Sequence, residues 1–289
     1  MDWRALRRED PYAVRRRSMI QLKSDAEIAK MREAGLVVAA ALDAVRAAIA
    51  PGVTTAELDE IAADVLRNAG AASNFKGYRA GGSVPYPATI CASINDEVVH
   101  GIPSRKRTLR AGDIISIDCG AIVDGWHADA AFTAGVGEIS PEAARLIEVC
   151  EEALWRGIAA GRPGATLGDI GYAVESYVRS QGDYGMVEEY GGHGIGTEMH
   201  QEPHVPNRGK PGRGLRLVPG LVLAVEPMIM LGDRRVFTRD DHWTVATVDG
   251  SWAAHFEHTF AVTADGPMVL TAPDLGAARL GSLASRAAG

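Results

Sequence analysis

Cysteine is scarce in this sequence, with three in 289 residues, Cys91, Cys119 and Cys150, far apart from one another. An odd, scattered set offers neither a disulfide framework nor a Cys-x-x-Cys metal knuckle, and it fits a reducing compartment. Long apolar runs are missing too. No stretch approaches the roughly 20 apolar residues that span a bilayer, so no membrane partner is expected. The opening MDWRALRREDPYAVRRRS carries basic residues with no apolar stretch behind them, unlike a secretory signal. Nor is there an excess of positive charge: 30 Lys and Arg against 37 Asp and Glu leave a net charge of −7. That argues against nucleic-acid binding as the main role, because phosphate contacts need a basic surface. The expected location is cytoplasmic.

What is present is an ordinary globular composition, 46% hydrophobic, in a chain long enough for a sizeable core. One local exception is residues 1–23, which hold seven Arg and Lys against three Asp and Glu. A solvated arm fits such a segment. So does a transient contact with an anionic surface such as ribosomal RNA.

The chain repeats itself. Ala41–Gly70 and Ala153–Gly182 align at a constant offset of 112, matching Pro51-Gly52 with Pro163-Gly164, Thr54 with Thr166, and Gly70 with Gly182. Each copy reads as helix, Pro-Gly turn, helix, with the threonine at the N-cap and the glycine at the end. The strands repeat as well. LRAGDIISIDCG (109–120) resembles LVPGLVLAVEPM (217–228) and sets Asp118 against Glu226. A hairpin is expected after each, turning at Asp124-Gly125 and at Asp249-Gly250, with Asp129 and Glu257 on the returning strands. These patterns predict an α+β fold of two halves related by a pseudo-two-fold axis, with one continuous central antiparallel sheet and flanking helices.

Four carboxylates would then converge in apolar strands. An ionised carboxylate buried there costs several kcal/mol unless it is paired or bound to a metal. Lys and Arg are largely absent from these segments, which makes a metal the natural partner. His193, inside Gly191-Gly192-His193-Gly194-Ile195-Gly196, sits where glycines permit close backbone approach. Four carboxylates and an imidazole suit two divalent cations about 3.5–4 Å apart, able to acidify a water and polarise a carbonyl. Such ligation fits Mn, Fe, Co or catalytic Zn.

The combination of Ser93–Pro103, Ser116–Gly120, Asp124–Asp129, Gly192–Gly196, Met199–Pro203, Val225–Pro227 and Phe256–Thr259 resembles the methionine aminopeptidases. The resemblance spans about residues 22 to 271. It implies the pita-bread fold and a hydrolase that removes N-terminal methionine, preferentially before a small second residue, using a water bridging two divalent metal ions (Co, Mn, Fe or Zn). By the same resemblance the metal ligands are Asp118, Asp129, His193, Glu226 and Glu257, with Asp129 and Glu257 bridging. His200 polarises the scissile carbonyl, His100 holds the amide of the second residue, and Glu226 shuttles the proton. The methionine pocket would involve Tyr78, Tyr86, Cys91, Met199 and Trp243. Only 26 positions separate His200 from Glu226, too few for the helical insertion of type II enzymes, so the likeness is to type I. The implied partners are peptides bearing an initiator methionine, and a monomer is expected.

Gly77–Pro87 departs from the family, being longer than its usual Gly-Tyr-His-Gly-Tyr-Pro-like stretch and lacking the histidine. Ala128 stands where glycine is frequent. The expected division is a basic arm over 1–23, a catalytic domain over 24–272 and a C-terminal tail over 273–289. Two other readings share the fold. A prolidase or X-Pro aminopeptidase would need a large N-terminal domain, and a non-enzymatic binding protein would have lost ligands.

Overall fold

The computed structural model describes residues 20–79 and 84–287. Residues 1–19 of the basic arm, 80–83 of the long Gly77–Pro87 stretch and 288–289 of the tail lie outside the described residues.

Helices α1 (Asp25–Ala48) and α2 (Thr55–Asn68) come first. Strands β1 (Ala72–Ser73), β2 (Ile90–Ile94), β3 (Glu97–Val99), β4 (Ile114–Val123) and β5 (Trp126–Gly135) complete the first half. Helices α3 (Pro141–Ala160) and α4 (Leu167–Gln181) open the second half. It continues with β6 (Gly185–Met186), β7 (Gly192–Gly194), β8 (Gln201–Val205), β9 (Val222–Val225) and β10 (Met228–Met230). Strands β11 (Val236–Thr238), β12 (Val245–Thr247), β13 (Ala253–His255), β14 (Glu257–Thr263) and β15 (Gly266–Val269) follow, then helix α5 (Ala277–Ala287).

The helix pairs form where the repeat places them, and for the local reasons the sequence offers. Thr54 caps α2 in a reciprocal box with Glu57. At α4 the Asp169 carboxylate accepts from both the backbone N–H and the hydroxyl of Thr166. Each Pro-Gly turn is stitched to the segment entering the half's long strand. Gly52 N donates to Leu109 O and Leu109 N to Val53 O, while Gly164 N donates to Leu217 O and Leu217 N to Ala165 O, all at 2.8 Å. Gly112 and Gly220, 108 positions apart, turn into β4 and β9 with φ of 95° and 94°, a backbone region that disfavours any residue with a Cβ.

The largest sheet runs β1-β4-β5-β14-β9-β7-β8 and is antiparallel at every pairing, with β2 also on β4 and β15 on β14. Its centre is the β5–β14 seam, so β4-β5 on one side mirrors β9-β14 on the other. Helix α1 packs on β4 and β5, and α3 on β9, β10, β13 and β14. The main apolar core lies between helices and sheet and is supplied by both halves.

The expected continuous central sheet joins the two halves at the β5–β14 seam, and smaller sheets accompany it. Among the described residues there are two further three-stranded sheets, β13-β10-β6 and β11-β12-β3. Pro227 has no N–H to give the ladder, and the second hairpin divides there into β9–β14 and β10–β13. The tip of that hairpin is also not the two-residue turn expected at Asp249-Gly250. Residues 231–252 fill it, and β12 within them pairs with β3 of the first half. Asp249-Gly250 links β12 to β13, which belong to different sheets.

Two terminal features bear on the expected boundaries. Lys23, counted with the basic arm, is buried, and its Nζ donates to Gln201 Oε1 at 3.1 Å. Residues 277–287 of the expected tail form α5, whose Arg279 lies near Glu152 at 3.6 Å and over the Trp155 ring. Among the described residues, no helix is long and apolar enough to cross a membrane. All three cysteines are free and buried.

Candidate metal centre and substrate cavity

The sheet register determines which carboxylates meet. In the first hairpin Asp118 lies opposite Ala131 and Asp129 opposite Gly120, so the two acids are diagonal neighbours on one face, within reach of each other. Burial raises the Asp118 carboxyl, and the Asp129 charge acting across that diagonal raises it further. In the second hairpin Val225 lies opposite His258 and Met228 opposite His255. That common register sets Glu226 across from Glu257. The seam then joins the pairs, since Glu257 on β14 lies opposite Ala131 on β5.

His193 reaches the same centre from β7, wedged between β9 and β8. A Cβ at Gly192 would sit 2.1 Å from Ala224 O, and one at Gly194 would sit 2.3 Å from Glu202 O. Only glycine fits on either side of this histidine. His193 Nδ1 is 2.9 Å from Gly194 O, which leaves Nε2 facing the acids, 3.9 Å from both Glu226 Oε1 and Glu257 Oε1.

The five expected ligands therefore surround one spot, and they lack what buried acids need. Asp118 Oδ1, Asp129 Oδ1 and Glu257 Oε1 are buried without a hydrogen-bond partner. Among the described residues, no lysine or arginine pairs with any of the four acids. Burial and mutual repulsion push the Asp118 and Glu257 carboxyls well above their usual range, burial raises Asp129 to about 7, and burial with the Asp129 charge raises Glu226 to about 8. Burial also drops His193 to about 3, so it is a neutral imidazole with a lone pair to offer. Orphaned carboxylate oxygens around a neutral imidazole fit divalent cations. Ligand atoms of Asp129, His193 and Glu257 lie within 4.8 Å of one another, as do those of Glu226, His255 and Glu257.

His255 was missed in the sequence. A signal was there: it stands two residues before Glu257 on one strand run, as His127 stands two before Asp129, and period-two alternation puts such pairs on one face.

A cavity of about 380 Å³ opens from this centre. All five expected pocket residues, Tyr78, Tyr86, Cys91, Met199 and Trp243, line it together with His100 and His200. Phe75 and Tyr190, not anticipated, line it as well. Tyr86 donates to Ile90 O or Gly101 O, each 3.0 Å away, and Trp243 Nε1 donates to Val84 O at 2.9 Å. The long Gly77–Pro87 stretch has a closed neck. Gly77 N donates to Tyr86 O at 2.8 Å and Tyr86 N to Tyr78 O at 2.9 Å, so both tyrosines reach the cavity despite the extra residues.

His200 stands 4.4 Å from His193, ring centre to ring centre, and its Nδ1 is 2.7 Å from the Tyr78 hydroxyl. His100 adopts φ 61°, an uncommon conformation for a side-chain-bearing residue that is often held at functional sites. Its ring packs edge-on against Tyr190 and Trp243, with centroids 5.8 and 6.2 Å away. Burial lowers both histidines to about 4. Each is a neutral imidazole in the physiological range.

Known proteins similar to this chain are metallopeptidases. The sequence pattern of metallopeptidase family M24 matches residues 29–264. A methionine aminopeptidase of Clostridium acetobutylicum is 52% identical over 253 residues, covering 88% of this chain and 99% of that protein. Methionine aminopeptidase 1 of Mycobacterium tuberculosis is 52% identical over 263 residues, covering 89% and 97%. The crystal structure of a methionine aminopeptidase from Thermotoga maritima superposes with a TM-score of 0.84 at 42% identity, covering 88% of this chain and 99% of that one.

Proposed function

The chain belongs to the methionine aminopeptidases of metallopeptidase family M24, and from that premise we propose that it removes the N-terminal methionine of peptides and nascent proteins, preferentially before a small second residue. Its fold is the pita-bread fold of that family. In this reading Asp118, Asp129, His193, Glu226 and Glu257 would hold two divalent ions of Co, Mn, Fe or Zn, Asp129 and Glu257 contributing to both. Bound there, such ions would bring a water's pKa toward neutrality and polarise the scissile carbonyl.

The chain's own groups do the rest. His200 donates to the carbonyl oxygen as negative charge develops on it. His100, as a neutral imidazole, accepts from the amide of the second residue. Glu226 moves the proton to the leaving amine. Tyr78, Tyr86, Cys91, Met199 and Trp243 surround the methionine side chain, their aromatic and sulfur surfaces suited to a thioether. A cytoplasmic monomer belongs to the same reading, in keeping with three unpaired cysteines.

The observation that carries it is the convergence of uncompensated buried carboxylates on a cavity walled by aromatic and sulfur side chains. The test is peptide cleavage by metal-stripped protein with ions restored singly. Met-Ala-Ser should be cut and Ala-Pro-Ala left intact. The reverse preference, or no turnover with any ion, overturns the reading.

A further inference from the structure

Glu226 and Glu257 lie between two imidazoles, not one. Their Oε1 atoms face His193 Nε2, each at 3.9 Å, and their Oε2 atoms face His255 Nε2, at 3.7 and 4.0 Å. None of these separations is a hydrogen bond. Donors that sit about 2.0–2.2 Å from an ion are at most about 4.4 Å apart, so a single ion can span any of the four gaps. On the His255 side nothing in the protein does so. His255 is 2% exposed, and its Nε2 is buried without a partner.

His255 is also held in place. Its backbone N–H donates to Thr133 Oγ1 at 2.9 Å, and that hydroxyl is 2.9 Å from His255 O and 2.8 Å from Ser116 Oγ. Both Thr133 and Ser116 are buried. The opposite flank comes from the antiparallel pairing of His255 with Met228. The backbone of His255 is thereby fixed beside the two acids, with the ring's Nε2 left without a partner.

We propose that His255 is a sixth protein ligand of the metal centre, so that each of the two ions is held by one imidazole, His193 on one side and His255 on the other. This rests on the dinuclear reading given above. It adds a consequence for metal choice. A second imidazole moves the site away from the all-oxygen environment that suits Mn and toward Co, Fe or Zn.

The test uses the full-length protein, stripped of metal and titrated with Co(II) and with Mn(II) in the calorimeter. X-ray absorption at the cobalt edge counts imidazoles on the loaded protein. The wild type should show two imidazoles for two cobalt ions, and His255→Gln should show one. That substitution should weaken cobalt binding about tenfold to 100-fold and manganese binding less. His193→Ala should still show one imidazole, assigned to His255. Two cobalt ions sharing a single imidazole in the wild type would overturn the proposal, and that measurement needs no variant to fold. Wild type that takes up no cobalt at all sinks the metal-centre reading itself.

Discussion

The Tyr78 hydroxyl and His200 Nδ1 lie 2.7 Å apart, a short hydrogen bond between a cavity-wall phenol and an imidazole held neutral by burial. With the phenol as donor, the one proton of the neutral ring sits on Nε2, the nitrogen that would donate to the substrate carbonyl. Tyr78→Phe should keep the wall but release this control of the tautomer. Losing one such bond is worth roughly 0.5–1.5 kcal/mol, so kcat should fall about 2- to 10-fold with KM little changed. Steady-state kinetics on a methionyl peptide checks it. A rise in KM at constant kcat would mean that Tyr78 only shapes the pocket.

Asp118 is the acid whose removal separates stability from function most cleanly. Its Oδ1 is buried without a partner, and burial followed by the Asp129 and Glu226 charges holds its carboxyl well above the usual range. Asp118→Asn removes that repulsion while keeping the shape. The metal-stripped variant should melt higher than the metal-stripped wild type, by a few degrees for each ~1 kcal/mol relieved. Its activity should be lost, and added metal should raise its melting temperature less than it raises the wild type's. Near-normal turnover would refute the assignment of Asp118 to the metal centre.

The same crowding gives the metal-stripped protein a pH dependence of definite sign. Asp129 near 7, Glu226 near 8, and Asp118 and Glu257 well raised all bind protons in the folded state that an unfolded carboxyl gives up near pH 4. Stability from these groups therefore falls as pH rises. Below about pH 6.5 the buried histidines oppose it, because His193 and His255, lowered to about 3, stay neutral while their unfolded forms charge. Lys23, lowered to about 8 by burial, works the other way only above that pH. Between pH 6.5 and 8 the acids act alone. Scanning calorimetry should show the stripped protein losing melting temperature across that window and the metal-loaded protein staying flat, since bound cations replace the protons. A flat profile for the stripped protein would mean that the acids are compensated some other way.

How much of this was legible in the sequence follows from how local each cause is. The helix pairs could be read because Thr54, Thr166 and the Pro-Gly turns act within a few residues of themselves. The four acids and the imidazole could be read because a carboxylate in an apolar strand has few explanations. The division of the sheet at Pro227 and the β12–β3 pairing could not, since Val245 finds Val99 only once both halves are folded. His255 fell between these cases. Its alternation with Glu257 is local, but its proximity to Glu226 arises from the β10–β13 register.

Gly192 tests whether the close packing around His193 serves the metal or only the fold. Strand β7 is pressed against β9 so tightly that a Cβ at Gly192 would lie 2.1 Å from Ala224 O, a backbone atom that cannot swing away. Gly192→Ala must push β7 outward and carry His193 Nε2 from its place facing Glu226 and Glu257. Overpacking of this kind costs about 1–3 kcal/mol, and metal affinity should fall with it. Gly125→Ala is the matched control. Gly125 has φ 79° in the β4–β5 turn, with open space around its Cα, so alanine there adds backbone strain of about 1 kcal/mol without touching the centre. Both variants should melt lower, and only Gly192→Ala should bind Co(II) more weakly by titration calorimetry. Equal affinity in the two would show that His193 tolerates displacement, and with it that the glycines flanking this histidine serve packing alone.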